Sequence, residues 1–362
     1  MLKCIFRLPS IKQGYTIVEI LVVIVVIGIL AAISYISYNG AQSRAVVASL
    51  QSDLQSASDQ LVMDQANNKL NNNSDNFAAS ASSLPKSSGT TYSYTVNNAT
   101  TPKTFCLTAT KNSKNYFITQ EGSPLPGPCP VLYLDSGIST SYPGTGTIWY
   151  DLSGNPVSHN GTLSGVTYSS VNNGVLIFNG ASYVDLGDYD DLAVLQFDAG
   201  NWSIFSWVKP NAQSVETNII GHRTGSDQDF RIGVDASNKA YITWVSYPSH
   251  SAYSTTTGVK NLNDGAWHHV GAVRNGGTIT LYVDGSVAGT DSAVSNYDIT
   301  GNGWFSRWSI GAYREGCCST FAAGYWKAFF NGSISSVYIN NSVLSSDDVN
   351  QSFSALKGRF GL

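Results

Sequence analysis

Apolar positions along the chain change period twice, and each change predicts a different kind of element. Every residue from 20 to 33 is apolar or glycine, and the window 15–38 admits only Thr16, Glu19, Ser34 and Ser37 as interruptions. A helix over that window is about 36 Å long, enough to cross the hydrocarbon core of a bilayer. Beyond it Val47, Leu50, Leu54, Ala57 and Leu61 recur at spacings of three and four. That spacing continues the helix with one apolar face, which needs a covering layer. The run Asn71-Asn72-Asn73-Ser74 ends it. Short runs rich in aromatic and β-branched residues then predict strands at 92–96, 105–109 and 116–119. Residues 124–130, with a proline at every second position, predict a hinge. After it, strand-like runs fall at 175–178, 202–208, 218–221, 230–234, 240–245, 268–273, 278–283, 308–312 and 333–339, separated by Gly, Asn and Asp turns. So many strands and so little helical periodicity predict an antiparallel sandwich. Residues 347–356 read as one short closing helix, with Ser345 or Ser346 as its N-cap.

Composition changes the picture in three ways. Only 12% of the 362 residues are charged, about half the usual share, so solubility rests on Ser, Thr, Asn and Gly, as on surfaces outside the cytosol. The formal charge of −4 gives no electrostatic grip on nucleic acid or anionic lipid, and no nucleic-acid partner is expected. Five cysteines is an odd number, which in an exported protein leaves one thiol unexplained.

The N-terminus accounts for the odd cysteine. Residues 1–14 are basic through Lys3, Arg7 and Lys12, which holds them on the cytoplasmic side. No small-residue cleavage site follows the apolar run, as a secretory signal would require. Instead Gly14 stands immediately before Tyr15-Thr16-Ile17-Val18-Glu19. A carboxylate in an apolar helix is costly and needs a cation. A cut after Gly14 would create one on Tyr15, four residues from Glu19. A plain single-pass anchor with a snorkelling Glu19 is the alternative, and it explains neither Gly14 nor Glu19.

Gly14 followed by Tyr15-Thr16-Ile17-Val18-Glu19, with a basic leader and an apolar helix, resembles type IV pilins and pseudopilins over residues 1–70. The resemblance implies a prepilin peptidase that cleaves after Gly14 and methylates Tyr15. It also implies that Glu19 aids docking among pilin subunits. The protein would sit in the cytoplasmic membrane before assembly and in an extracellular filament at the cell surface afterwards. Tyr15 stands where Phe is more usual, but the aromatic is retained. Processing removes three cations, taking the formal charge from −4 to −7, and removes Cys4, leaving four cysteines. Cys106 and Cys129 bracket the third predicted strand, either as two buried thiols or as a disulfide. Export favours the disulfide, worth about 3 kcal/mol in the chain-entropy model. The expected order is leader 1–14, membrane and assembly helix 15–70, small β head 71–130, and sandwich 131–362, so an α+β module precedes an all-β one.

Four motifs mark the sandwich: Phe178-Asn179-Gly180 leading to Tyr183-Val184-Asp185-Leu186; Asp264-Gly265-Ala266-Trp267-His268-His269-Val270; Leu281-Tyr282-Val283-Asp284-Gly285; and Phe330-Asn331-Gly332-Ser333-Ile334. In this order they resemble the laminin-G-like branch of the concanavalin A-like lectin/glucanase fold, over residues 132–362. The resemblance implies a jelly-roll sandwich that binds glycans or proteins, with calcium as the one cofactor to consider. Asn179 and Ser335 stand where the family commonly has Asp; Asn179 with Asp185 and Asp188 form the calcium set to test, against an acidic solvated turn as the alternative.

Catalysis on this sandwich needs paired carboxylates. The four glutamates, Glu19, Glu121, Glu216 and Glu315, are unpaired in sequence, and Asp227-Gln228-Asp229 reads as a turn. His268 and His269 point to opposite faces if they lie in a strand. A non-enzyme is therefore expected. All eight tryptophans lie at or beyond residue 149. Trp202, Trp207, Trp244 and Trp267 sit in strand motifs and are expected in the core. Trp304, Trp308, Tyr313, Tyr325 and Trp326 crowd an irregular Gly-rich stretch, either as ligand-stacking rings or as a self-packed loop. The adjacent Cys317 and Cys318 at its centre form a vicinal bridge, pair between chains, or stay reduced.

The expected function is a minor pilin with an adhesive lectin-like head that attaches to a carbohydrate or a host or cell-surface protein. Two alternatives stand beside it. One is a pseudopilin of a type II secretion or DNA-uptake machine. The other is a membrane-tethered glycan hydrolase.

Overall fold

The computed structural model describes residues 16–72, 74–188, 200–224, 228–245, 253–292, 294, 307–314 and 326–362. Two compact units, Met1–Ser49 and Leu50–Leu362, are described separately. One uninterrupted helix, α1 (Ile17–Asn72), runs through both and ends where the asparagine run begins. Between Ile17 and Ile33 its large apolar side chains are 49–80% exposed. The helix is long and apolar enough to cross a membrane.

In the second unit, Leu50, Leu54, Ala57 and Leu61 are fully buried, as the spacing predicts. Val46, one turn before Leu50, is buried at the next position of the stripe, where Val47 was expected. Asp53 on the same helix accepts hydrogen bonds from Ser87 N (3.0 Å), Ser87 Oγ (2.7 Å) and Thr90 Oγ1 (2.7 Å), so this buried carboxylate is fully used. Four antiparallel strands follow in order: β1 (Thr91–Asn97), β2 (Thr104–Lys111), β3 (Lys114–Thr119) and β4 (Leu125–Pro126). A disulfide joins Cys106 on β2 to Cys129, with Cα atoms 5.9 Å apart.

The remaining chain forms a sandwich of two antiparallel sheets. The proximal sheet runs, edge to edge, through Ser286–Asp291, Thr278–Val283, His268–Asn275, Trp202–Pro210, Asn331–Asn340, Val175–Asn179 and Thr167–Ser169; Leu132–Asp135 also pairs with Asn331–Asn340. The distal sheet runs through Tyr253–Asn261, Lys239–Val245, Gln228–Val234, Thr217–Thr224, Arg307–Ile310, Tyr183–Asp188, Gly161–Ser164 and Ile148–Trp149. A hairpin of Tyr313–Arg314 and Trp326–Lys327 stands beside it. Alternating residues of both sheets, among them Trp202, Ile204, Leu281, Ile232, Ile242, Val184 and Trp308, fill one core.

The expected hinge at 124–130 is not one. Leu125 and Pro126 form β4, pairing with Phe117 and Tyr116 at the edge of the small sheet. Pro126 is tolerated there because an edge strand can spare an N–H. Cys106, Phe117 and Leu125 then share a hydrophobic cluster with Tyr133, Phe205, Val273, Tyr282 and Tyr338 of the proximal sheet. The Phe117 ring meets Tyr133 edge-on at 5.8 Å. A strap at residues 151–158 adds polar contacts: Thr95 Oγ1 donates to Ser153 O (3.1 Å), Asn97 Nδ2 to Asn155 O (2.8 Å), and Asn155 Nδ2 to Val131 O (2.8 Å). Buried Asp151 organises the strap by accepting from Tyr133 N, Ser153 N, Ser153 Oγ and His159 N at 2.8–3.2 Å. Burial still pushes its carboxyl above the usual range.

The C-terminal segment closes the same side. Helix α2 (Ser346–Leu356) starts at Ser345, whose hydroxyl accepts from Asp348 N while Asp348 Oδ2 accepts from Ser345 N. Phe360 then packs against Trp207 (4.3 Å between ring centres) and Trp267 (4.7 Å). Arg359 Nη1 reaches both oxygens of buried Asp135 at 2.8 and 3.0 Å; its Nη2 donates to Gly174 O and Ser335 Oγ, and its Nε to Asn172 O. A buried ion pair offsets its desolvation only when the remaining donors are also satisfied, and here they are.

Candidate functional site

Gly14 and Tyr15 lie outside the described residues, but the start of α1 shows what Glu19 does in the uncut chain. Thr16 N and Thr16 Oγ1 donate to Glu19 Oε2 at 2.7 and 2.8 Å, and Glu19 N donates to Thr16 Oγ1 at 3.2 Å. This reciprocal box satisfies free N–H groups at a helix start. The carboxylate in the apolar stretch is therefore held by its own first turn. The Thr-x-x-Glu spacing carried that signal in the sequence, and reading Glu19 only as a partner for an amine passed it over.

On the sandwich, strand alternation sorts side chains between the core and the outer face of the distal sheet. Val184 and Leu186 enter the core, which turns Tyr183 and Asp185 outward. Phe230 and Ile232 do the same for Arg231, and Ile242 and Trp244 for Tyr241 and Thr243. Trp326, on the hairpin, stacks on Tyr183 with ring centres 3.8 Å apart and planes at 20°. Arg231 lies 4.8 Å from the Tyr313 ring centre and 5.9 Å from that of Tyr241, and its Nη1 is 3.3 Å from Tyr241 Oη. Half-exposed Glu216 stands 3.9 Å away. Gly233 makes room for this arrangement, since a Cβ there would lie 2.8 Å from the Tyr241 ring. Aromatic rings and charged groups thus cross this face from Tyr183 to Tyr241.

Three of the expected ligand-stacking residues can be placed. Trp308 is fully buried, packed against His222 at 5.1 Å and Phe230 at 5.6 Å, and Tyr313 is 5% exposed beneath Arg231. Neither can stack on a ligand, which corrects that expectation: Trp308 occupies a core-facing position of a strand. Trp326 keeps partial exposure. Trp304, Tyr325, Cys317 and Cys318 lie outside the described residues. Trp202, Trp207, Trp244 and Trp267 are buried, as expected. Tyr183 was not singled out, although its alternation with Val184 and Leu186 marks it as outward.

Two of the expected calcium donors, Asn179 and Asp185, can be placed. Asn179 Oδ1 accepts from Ala181 N at 3.0 Å, and Asp185 Oδ1 from Gly187 N at 3.0 Å, so each closes a local turn. The Asp188 side chain lies outside the described residues. Ser335 is held between Arg359 and Gly174 O. Among the described residues no three His, Cys, Asp or Glu side chains converge. His268 and His269 do face opposite ways. The His268 nitrogens lie 3.0 Å from Asp284 Oδ2 and 3.1 Å from Asp264 Oδ1. His269 stacks on Phe205 at 4.9 Å, and burial pushes its pKa down to about 3.

Known proteins can be set beside this geometry. Residues 10–35 match the family described as the prokaryotic N-terminal methylation motif, and residues 178–350 match the concanavalin A-like lectin/glucanases superfamily. No curated protein matches the chain closely enough to count. Solved structures with partial likeness include the binding domain of Paraclostridial Mosquitocidal Protein 1 (14% identity, 62% of this chain and 52% of that one, TM-score 0.46). Domain 4 of AbnA, a GH43 extracellular arabinanase from Geobacillus stearothermophilus, in complex with arabinotriose, is another (16%, 61% and 96%, 0.43). A third is the binding domain of Botulinum Neurotoxin DC in complex with SialylT (15%, 63% and 51%, 0.43). The chain spans about half the length of the first and third of these. The chain thus joins a segment matching the prokaryotic N-terminal methylation motif, continued in one long helix, to a segment matching the concanavalin A-like lectin/glucanases superfamily.

Proposed function

We propose that this protein is a minor subunit of a type IV pilus-like filament, whose lectin-like head attaches the filament to a glycan-bearing surface. The observation that carries the reading is the union of two parts. One is a helix whose apolar residues from Ile17 to Ile33 are exposed all round, suited to a bilayer first and to neighbouring helices afterwards. The other is a sandwich whose proximal sheet shares a core with the small disulfide-bonded sheet. In this reading a prepilin peptidase cuts after Gly14 and methylates Tyr15. Glu19 then exchanges Thr16 for the amine of another subunit.

The sandwich is several times larger than the four-stranded sheet, and carrying it on every subunit would crowd a filament. That bulk favours a minor component. Binding rather than hydrolysis is favoured because His268, Asp264 and Asp284 are committed to one another. The test is to shear filaments from cells and compare attachment with and without the protein. The expected result is recovery in the sheared fraction at far below the abundance of the main subunit, with attachment to a glycan-coated surface lost when the protein is absent. Recovery in the membrane fraction alone, or unchanged attachment without it, would sink the reading.

A further inference from the structure

We infer that the sandwich contains a cation site that the chain fills with its own Arg359, and that a hard divalent cation takes the same oxygens when this guanidinium is withdrawn. Asn179 and Asp185 take no part in it.

Separate segments bring oxygen atoms to one point. Asp135, at the end of the strand Leu132–Asp135, gives both carboxylate oxygens, 2.8 and 3.0 Å from Arg359 Nη1. Gly174 O lies 2.9 Å and Ser335 Oγ 2.6 Å from Nη2, and Asn172 O lies 2.7 Å from Nε. The set is one carboxylate, two main-chain carbonyls and one hydroxyl, with no nitrogen or sulfur donor. Such oxygens suit a hard cation. The place is also built for an occupant. The Asp135 side chain is 3% exposed and that of Arg359 11%. Gly174 presents its carbonyl from a φ of +128, and a Cβ on it would lie 2.1 Å from Ser136 O. A Cβ on Gly137 would lie 2.0 Å from Nη2. Behind the cage Ser136 Oγ donates to Gly174 O (3.0 Å) and Ser335 O (2.9 Å), tying two of the segments together.

The oxygens and the cation are held differently. Asp135, Gly174 and Ser335 adjoin Leu134, Leu176, Ile334 and Val337, which are locked in the core of the sandwich. Arg359 comes from the short turn Lys357–Phe360, outside the sheets. That turn is held by Phe360 against Trp207 and Trp267, and by Asn172 Nδ2 donating to Arg359 O at 2.8 Å. The cage therefore outlasts the loss of the guanidinium. Its carboxylate would then be buried and unpaired, a costly state, and a divalent cation relieves it. One carboxylate among neutral oxygens makes a weak site, with a Kd of about a millimolar, as in modules that work outside cells.

The experiment uses the full chain in detergent micelles, with calcium and terbium as the probes. Wild type should melt at one temperature in EDTA and in about 10 mM calcium. Arg359→Gln, which removes the charge and keeps much of the side chain, should melt lower in EDTA and regain about 3 °C in calcium. It should also bind terbium about tenfold more tightly than wild type. The luminescence would be passed on by Tyr133, whose Oη lies 3.4 Å from Asp135 Oδ2. Arg359→Lys, which keeps a cation, should show neither response. Equal responses in wild type and Arg359→Gln overturn the inference. So does the lack of any response in Arg359→Gln, or the same response in Arg359→Lys. If Arg359→Gln does not fold in EDTA, folding restored by calcium supports the inference, and failure to fold in both overturns it.

Discussion

Asp284 gathers more of the sandwich around itself than any neighbouring side chain. Its Oδ2 accepts from Lys260 Nζ (2.5 Å) and faces His268 Nδ1 (3.0 Å), and its Oδ1 accepts from His269 N (3.0 Å). Burial alone would raise its pKa, but the hydrogen bonds of His268 and Lys260 outweigh it, so the carboxyl lies below its ordinary 3.8. Asp264 is lowered in the same way: the Ala266 N–H and His268 overcome its burial. A depressed folded value makes each contribution complete above the unfolded value and lost as pH falls through the folded one. Wild-type melting temperature should therefore fall below about pH 4. Asp284→Asn should melt lower at neutral pH and show a shallower acid slope. Parallel curves for the two proteins would contradict this. The opposed faces of His268 and His269 were legible in strand alternation. The meeting of His268 with Asp284 was not, because the turn that returns the chain sixteen residues later is set by sheet pairing.

At the level of elements, strands that alternate apolar residues against a core were readable, and Trp202–Pro210 and Gln228–Val234 extend the expected runs by only a residue or two. Gly161–Ser164, Thr167–Ser169, Tyr253–Asn261 and Ser286–Asp291 were missed. They are short or exposed, rich in Ser, Thr and Gly, and carry little of the apolar signal on which such readings depend. The proline run misled for a different reason. Proline marks both linkers and sheet edges, and only the partners of Leu125 show which applies. The strap tests the fused architecture. Gly154 has φ +70, and a Cβ there would lie 2.8 Å from Cys106 N and 2.9 Å from Thr95 O. Gly154→Val should destabilise the folded unit by about 2 kcal/mol or more, from backbone strain and overpacking. Urea denaturation of the full chain would show it; a change under about 0.5 kcal/mol, the scale of an ordinary surface substitution, would mean the strap does not hold the small sheet to the sandwich.

The helix leaves its apolar residues bare from Ile17 to Ile33, and from Leu50 onward two β modules have become one compact unit. Much of that plan was written in local sequence: Gly14, Glu19 and the apolar run for the helix, and the ordered motifs for the sandwich. The packing of the aromatic residues was only half legible. Trp308 is buried and Trp326 partly exposed; they differ only in which way their strands turn them, and tertiary packing sets that. The central claim is that one processed polypeptide carries both parts into a filament. Intact mass and N-terminal sequencing of the protein isolated from cells test it most directly. The account predicts a chain beginning at N-methylated Tyr15, with Cys106 and Cys129 disulfide-bonded. A chain that retains residues 1–14, or is cut at another position, would contradict it.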